Sequence, residues 1–130
     1  MILLDTHVIL WLAFAPHRLS PKAKSALQET VEAGSKTCIS PITLYEIGFL
    51  ANRKRIQLNV SIESFLYQVA DEFLLKPITV ELIVEAAQFP LSFPGDPMDR
   101  IIAATALTEG MPLVTADERI RRSKVVKTIW

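Results

Sequence analysis

The chain has 130 residues, half of them hydrophobic and 22% charged, with 14 basic and 14 acidic side chains. That length and apolar content suit a single compact domain, residues 1–130, and argue against global disorder. A formal net charge of zero excludes a strongly basic nucleic-acid footprint, though an enzyme can hold nucleic acid through bound metal and a few local cations. The runs Arg53-Lys54-Arg55 and Arg119, Arg121, Arg122 and Lys124 are such cations; each reads equally well as a solvated helix end.

In chain order, Ile2-Leu3-Leu4 is a short apolar run ending in Asp5 and predicts a buried strand. Thr6 is placed to cap a helix through Leu12 and beyond. Trp11 and Phe14 on that helix read as core. The run Val8 to Ala15 is the longest apolar stretch and is far short of the roughly 20 residues that cross a bilayer. No basic segment precedes the apolar start, so neither a signal peptide nor a membrane setting is expected. Ser20-Pro21 is a helix start, with Ala23, Leu27 and Val31 at helical spacing and Gly34 as the stop. Thr37-Cys38-Ile39 predicts a second strand. Its single cysteine reads as a buried small side chain and suits a reducing cytoplasm.

Ser40-Pro41 opens a helix to about Arg53, and Ser61 caps another carrying Phe65, Leu66 and Val69. Phe73 to Pro77 suits a strand or an extended link. Thr79 caps a helix to about Gln88, and Phe89 to Gly95 is a loop of turn formers. Asp96-Pro97 opens a helix through Thr108, closed by Gly110. Leu113 to Thr115 predicts a strand, Asp117 to Arg122 a helical turn, and Val126 to Ile129 a last strand. Strands alternating with helices predict an α/β domain with a mostly parallel sheet.

Ligands of such sheets bind beyond the carboxyl ends of the strands. Asp5 ends the first strand, Asp117 follows the strand at 113–115, and Asp96 and Asp99 open a helix after a loop. Each alone also reads as a cap or turn residue. Glu46 is harder to explain that way. At 100° per residue it shares a face with Ile42, Phe49 and Leu50, and no basic residue lies one turn away. Asp99 has Ile102, Ala103 and Ala106 at its helical spacings. A carboxylate on an apolar face needs a partner or a metal. Four carboxylates brought together call for divalent cations, and hard Mg²⁺ or Mn²⁺ prefers oxygen ligands. Two histidines and one cysteine spread along the chain argue against zinc. Two such ions can drive phosphodiester cleavage.

The same segments resemble a known family. Leu3 to Leu12, Ile39 to Ile47, Asp96 to Ala106 and Leu113 to Asp117 resemble, in order, the four acidic motifs of PIN-domain toxins of the VapC type, and Trp130 fits as well. The resemblance implies a three-layer α/β/α sandwich and a Mg²⁺- or Mn²⁺-dependent endoribonuclease acting on RNA. It also implies a homodimer and a VapB-type antitoxin covering the acidic pocket. Asp5, Glu46, Asp99 and Asp117 fall on the family's catalytic and metal-binding acids. Asp96 and Arg100 fall on a flanking acid and base of one subgroup, and Thr115 on a supporting hydroxyl. His7 stands where asparagine is frequent, and reads as a supporting residue more readily than as an RNA contact.

Two other readings compete. In a Mg²⁺-dependent phosphotransfer domain Asp5 would be a covalent nucleophile, but the usual second aspartate two residues on is replaced by His7. A non-catalytic module would keep the acidic pocket for a basic partner.

Overall fold

The computed structural model describes residues 1–130. Five strands alternate with seven helices: β1 (Ile2–Leu4), α1 (Thr6–Phe14), α2 (Pro21–Glu32), β2 (Thr37–Ile39), α3 (Pro41–Asn52), α4 (Ile62–Glu72), β3 (Leu74–Leu75), α5 (Val80–Ala87), α6 (Pro97–Thr108), β4 (Leu113–Val114), α7 (Glu118–Ser123) and β5 (Thr128–Ile129). The strand order is β3-β2-β1-β4-β5, and every pairing is parallel. The sheet is thus wholly rather than mostly parallel.

Alternation along the strands divides the core. Side chains of successive strand residues point to opposite faces. Leu3, Cys38 and Leu113 pack with Leu82, Ala86, Ile102, Ala103 and Ile120 on the face covered by α5, α6 and α7. Ile2, Leu4, Ile39 and Val114 pack with Val8, Ile9, Ala23, Ile47 and Val69 on the face covered by α1 to α4. This is a three-layer α/β/α sandwich. Cys38 is fully buried, as a small apolar side chain would be, and burial pushes its thiol pKa up.

Helix starts follow the capping chemistry. Ser20, Ser40, Ser61 and Thr79 each accept a backbone N–H of the first turn, and Pro21, Pro41 and Pro97 occupy first helical positions. Gly34 and Gly110, at φ +66° and +65°, follow the ends of α2 and α6 in the left-handed region where a side chain is strained. Asp5 rather than Thr6 caps α1.

Further expectations are corrected. The strands at 113–115 and 126–129 shrink to two residues each. Phe14 is 49% exposed rather than core, and Val31, at helical spacing with Ala23 and Leu27, is 71% exposed. Phe14 instead stacks on Phe65 of α4, with ring centroids 5.6 Å apart. No helix is long and apolar enough to cross a membrane.

The chain order places β2 and β3 on one side of β1, and β4 and β5 on the other. The carboxyl ends of β1 and β4 therefore flank the point where the strand order reverses, the place where open parallel sheets bind ligands.

Candidate active site

Asp5 and Thr115 follow directly on β1 and β4 at this crevice. The Asp5 backbone N–H donates to Val114 O at 3.1 Å, which fixes the end of the first strand to the fourth. Both oxygens of the buried Asp5 carboxylate are occupied. Oδ1 accepts the Thr6 N–H at 2.8 Å and Oδ2 accepts the Thr115 hydroxyl at 2.7 Å. One hydrogen bond on each oxygen fixes the orientation of the carboxylate and leaves lone pairs free toward the crevice.

Thr115 Oγ1 also accepts the Asp117 N–H at 3.1 Å, so one hydroxyl joins two acidic positions. Asp117 caps α7, accepting from Arg119 N at 2.8 Å and Ile120 N at 3.3 Å. Replacing Thr115 with valine keeps the shape but removes the bond to a buried carboxylate. The expected loss is about 1–3 kcal/mol of stability, read from urea unfolding, with Thr115→Ser recovering most of it. An unchanged midpoint in Thr115→Val would contradict this role.

Glu46 on α3 and Asp99 on α6 complete a pocket of about 120 Å³, lined also by Asp5, His7, Leu10 and Asp117. Its lining holds four carboxylates and neither lysine nor arginine. Electrostatics register the crowding. Burial, then Asp5, Asp96, Glu46 and Asp117, push the Asp99 carboxyl up to about 7. Burial chiefly raises Glu46 as well, opposed by a hydrogen bond from Thr6 and reinforced by Asp5 and Asp96. Thr6 Oγ1 stands 3.2 Å from Thr43 Oγ1, so two buried hydroxyls sit behind the acidic groups. Thr43 was not singled out from sequence, although a threonine one turn before Glu46 on an otherwise apolar helix was a visible signal.

His7 lines the pocket, and its Nε2 accepts the Ala116 N–H at 2.9 Å. Nδ1 lies 3.6 Å from Asp5 Oδ2. Burial lowers the imidazole pKa, with Asp5 and Asp117 pulling the other way, so the ring is held neutral with its proton on Nδ1. Its ring packs against Trp11 (4.9 Å) and Trp130 (6.4 Å), and Arg18 lies 4.2 Å over Trp11. Ala116 precedes Asp117, so His7 ties α1 to the segment that presents that acid.

Asp96 and Arg100 do not line the pocket. Asp96 is exposed and caps α6, accepting Met98 N at 2.8 Å and Asp99 N at 3.3 Å. Arg100 turns back on the preceding loop. Its Nε donates to Pro94 O at 3.0 Å and its Nη2 to Phe93 O at 3.3 Å, while Nη1 reaches Ala86 O and Phe89 O, both at 3.5 Å.

The donor set suits a hard divalent cation. It is all oxygen apart from His7, whose Nε2 is already taken, and Cys38 is buried in the core; zinc is a poor fit. No three His, Cys, Asp or Glu side chains are grouped tightly enough to ligate one ion together as they stand. Mg²⁺ does not require that, since it usually takes one or two carboxylates plus water and phosphate.

Comparison with known proteins extends the likeness along the whole chain. Residues 2–125 match the PIN domain. Ribonuclease VapC22 of Mycobacterium tuberculosis is 38% identical over 131 aligned residues, covering 99% of this chain and 98% of that protein. The crystal structure of VapBC2 from Rickettsia felis bound to a promoter DNA fragment superposes with a TM-score of 0.72 at 17% identity, covering 98% of this chain and 97% of the other. A toxin–antitoxin complex from Klebsiella pneumoniae gives 0.61 at 23% identity, covering 90% and 87%. The acidic crevice thus occurs in a chain that matches one domain family from its first strand to beyond its last helix, and the chain belongs to the PIN-domain family.

Proposed function

We propose that this protein is a Mg²⁺- or Mn²⁺-dependent endoribonuclease of the cytoplasm, the toxin half of a toxin–antitoxin pair. The observation that carries the reading is a pocket at the reversal point of the sheet whose lining holds four carboxylates and no lysine or arginine. The 38% identical ribonuclease supports RNA as the substrate class.

Asp5 and Asp99 are the residues assigned to hold the cation, with Glu46 and Asp117 completing or orienting the site. A divalent cation bound there supplies a more acidic water and offsets charge on the phosphate oxygens. The chain's own groups do the positioning. Thr115 and the Thr6 N–H fix the Asp5 carboxylate, the Thr6 hydroxyl supports Glu46, and His7 holds the backbone beside Asp117. No side chain is placed as the nucleophile. Asp5 is assigned to the cation, and the Thr115 hydroxyl is committed to Asp5 as a donor. Water is therefore the attacking group, in line with the departing ribose oxygen. The strand must expose its backbone to reach the pocket, which favours single-stranded or looped RNA.

Purified protein incubated with single-stranded RNA should cut it in Mg²⁺ or Mn²⁺. Chelation should stop cleavage and added metal restore it. Cleavage that survives chelation removes the metal from the reading. Intact RNA with every divalent ion leaves the non-catalytic module.

The toxin reading includes a protein partner, and of the solved structures named above one is a VapBC2 assembly on promoter DNA and the other a toxin–antitoxin complex. A cleft of about 700 Å³ between α1, α2 and α4, lined by Ile9, Leu12, Leu27, Phe65 and Val69, suits the apolar face of a partner helix. A basic side chain from that partner suits the acidic pocket. The exposed stripe Val80, Ile83 and Val84 on α5 is the surface on which we place the homodimer. Adding the purified antitoxin should abolish cleavage; undiminished activity in its complex would remove the inhibitory partner.

A further inference from the structure

A second cleft, of about 590 Å³, lies between the loop Leu91–Gly95 and α7. It is the electrostatic opposite of the acidic pocket. Its lining includes Arg119 and Arg122 and no carboxylate. We propose that this cleft binds the single-stranded RNA flanking the scissile phosphate, with Arg119 and Arg122 taking its phosphates. The proposal rests on the nuclease reading above.

Its position follows from the chain. One wall is the loop that runs into Asp96 and, one turn later, Asp99. The other wall is the helix that begins immediately after Asp117. Arg119 Nη2 stands 3.6 Å from Asp117 Oδ2, so the cleft opens beside the carboxylates. In the proposal, a strand whose scissile phosphate sits over the acids passes Asp117 and Arg119 into this cleft.

The loop wall is already set. Arg100 donates to Pro94 O and Phe93 O, which holds the loop against α6 before any ligand arrives. The opposite wall offers exposed positive charge. The Arg119 and Arg122 side chains are 71% and 80% exposed. Their ion pairs with Asp117 and Glu118, at 3.6 and 3.1 Å, are surface pairs that contribute little and yield readily to a phosphate. The guanidinium fork matches phosphate geometry. Leu91, fully exposed at the rim, adds an apolar surface for an unstacked base.

A chain of zero net charge with an acidic catalytic pocket repels a polyanion at the point where it must bind. A local cation track beside that pocket resolves the conflict.

The test measures binding of a fluorescein-labelled single-stranded RNA of mixed sequence to the Asp99→Asn protein in Mg²⁺, across a KCl series. The double variant Arg119→Gln/Arg122→Gln is compared with Lys22→Gln/Lys24→Gln, which removes equal charge from exposed positions on α2. If two phosphate contacts are lost, the slope of log Kd against log salt becomes shallower by about 1.4 for the α7 pair. Kd at low salt rises several-fold, and the α2 pair stays near the parent. Equal slopes for the two pairs overturn the proposal. So does loss of antitoxin binding by the α7 pair with RNA binding unmoved, which assigns the cleft to a protein. Failure of the wild type to cut RNA is a separate result: it removes the nuclease reading, while the salt slope still decides the cleft.

Discussion

Asp99→Asn is expected to abolish RNA cleavage and, at the same time, to raise the melting temperature of the metal-free protein at pH 8. The two effects have one cause. The Asp99 carboxyl has a pKa of about 7 in the folded chain against an ordinary 3.8, through burial first and then Asp5, Asp96, Glu46 and Asp117. Below pH 3.8 the proton is bound in both folded and unfolded chains and the group is neutral in the balance. Between 3.8 and about 7 the folded chain binds a proton that the unfolded chain has lost, so its contribution to stability falls as pH rises. Above 7 the full repulsion remains. Asparagine removes it. After allowance for solvent screening, a gain of about 1–3 kcal/mol is expected, or about 5 °C.

The gain should fade near pH 5, where Asp99 is already protonated. In the wild type, added Mg²⁺ should raise the melting temperature more at pH 8 than at pH 5, because cation and proton compete for the same carboxylate. Asp99→Asn should blunt that response. Cleavage should drop by at least about 100-fold, beyond the 10–100-fold typical of residues that merely support a metal site. Calorimetry at the two pH values and a cleavage assay check the whole set. A lower metal-free melting temperature at pH 8 would mean that Asp99 is a structural carboxylate.

Much of this was legible because the residues break local rules. Glu46 and Asp99 are charges on apolar helix faces, and the fold turns both toward one pocket. Ser–Pro and Asp–Pro pairs marked helix starts because capping and proline geometry are local chemistry. Strand lengths were not local. Leu74–Leu75, at the sheet edge, and the two-residue β4 and β5 are defined by partners far along the chain. Val31 sits at helical spacing with Ala23 and Leu27 yet is exposed, because no element of the same chain covers the cleft that α1, α2 and α4 leave between them. Asp96, Asp117 and Asp5 satisfy the plain reading as caps; for Asp5 and Asp117, cap and pocket coincide. The basic cleft could not be read at all, since Arg119 and Arg122 meet the 91–95 loop only through tertiary structure.

Arg100 falls, by resemblance, on the flanking base of one subgroup, yet it does not line the pocket. Its geometry predicts something different: Arg100→Met should cost about 2–3 kcal/mol and should impair cleavage through the loop. The guanidinium is half-buried without a carboxylate partner. Its charge is solvated by the carbonyls of Pro94 and Phe93, with Ala86 and Phe89 at 3.5 Å. Hydrogen bonds from a charged donor are each worth about 1.5–3 kcal/mol. The two long contacts count for little, and methionine fills part of the volume, so the total stays near the value of one to two good bonds. Arg100→Lys should recover only part, since one ammonium cannot match a planar fork aimed at several carbonyls. The loop fastened this way ends at Asp96, whose carboxylate caps the helix that presents Asp99. Releasing it should therefore loosen the pocket without changing its charge. Urea unfolding should show the stability loss. The Mg²⁺ concentration giving half-maximal cleavage should rise in Arg100→Met and move back toward wild type in Arg100→Lys. Full stability with an unchanged metal requirement would show that the loop holds its place without Arg100.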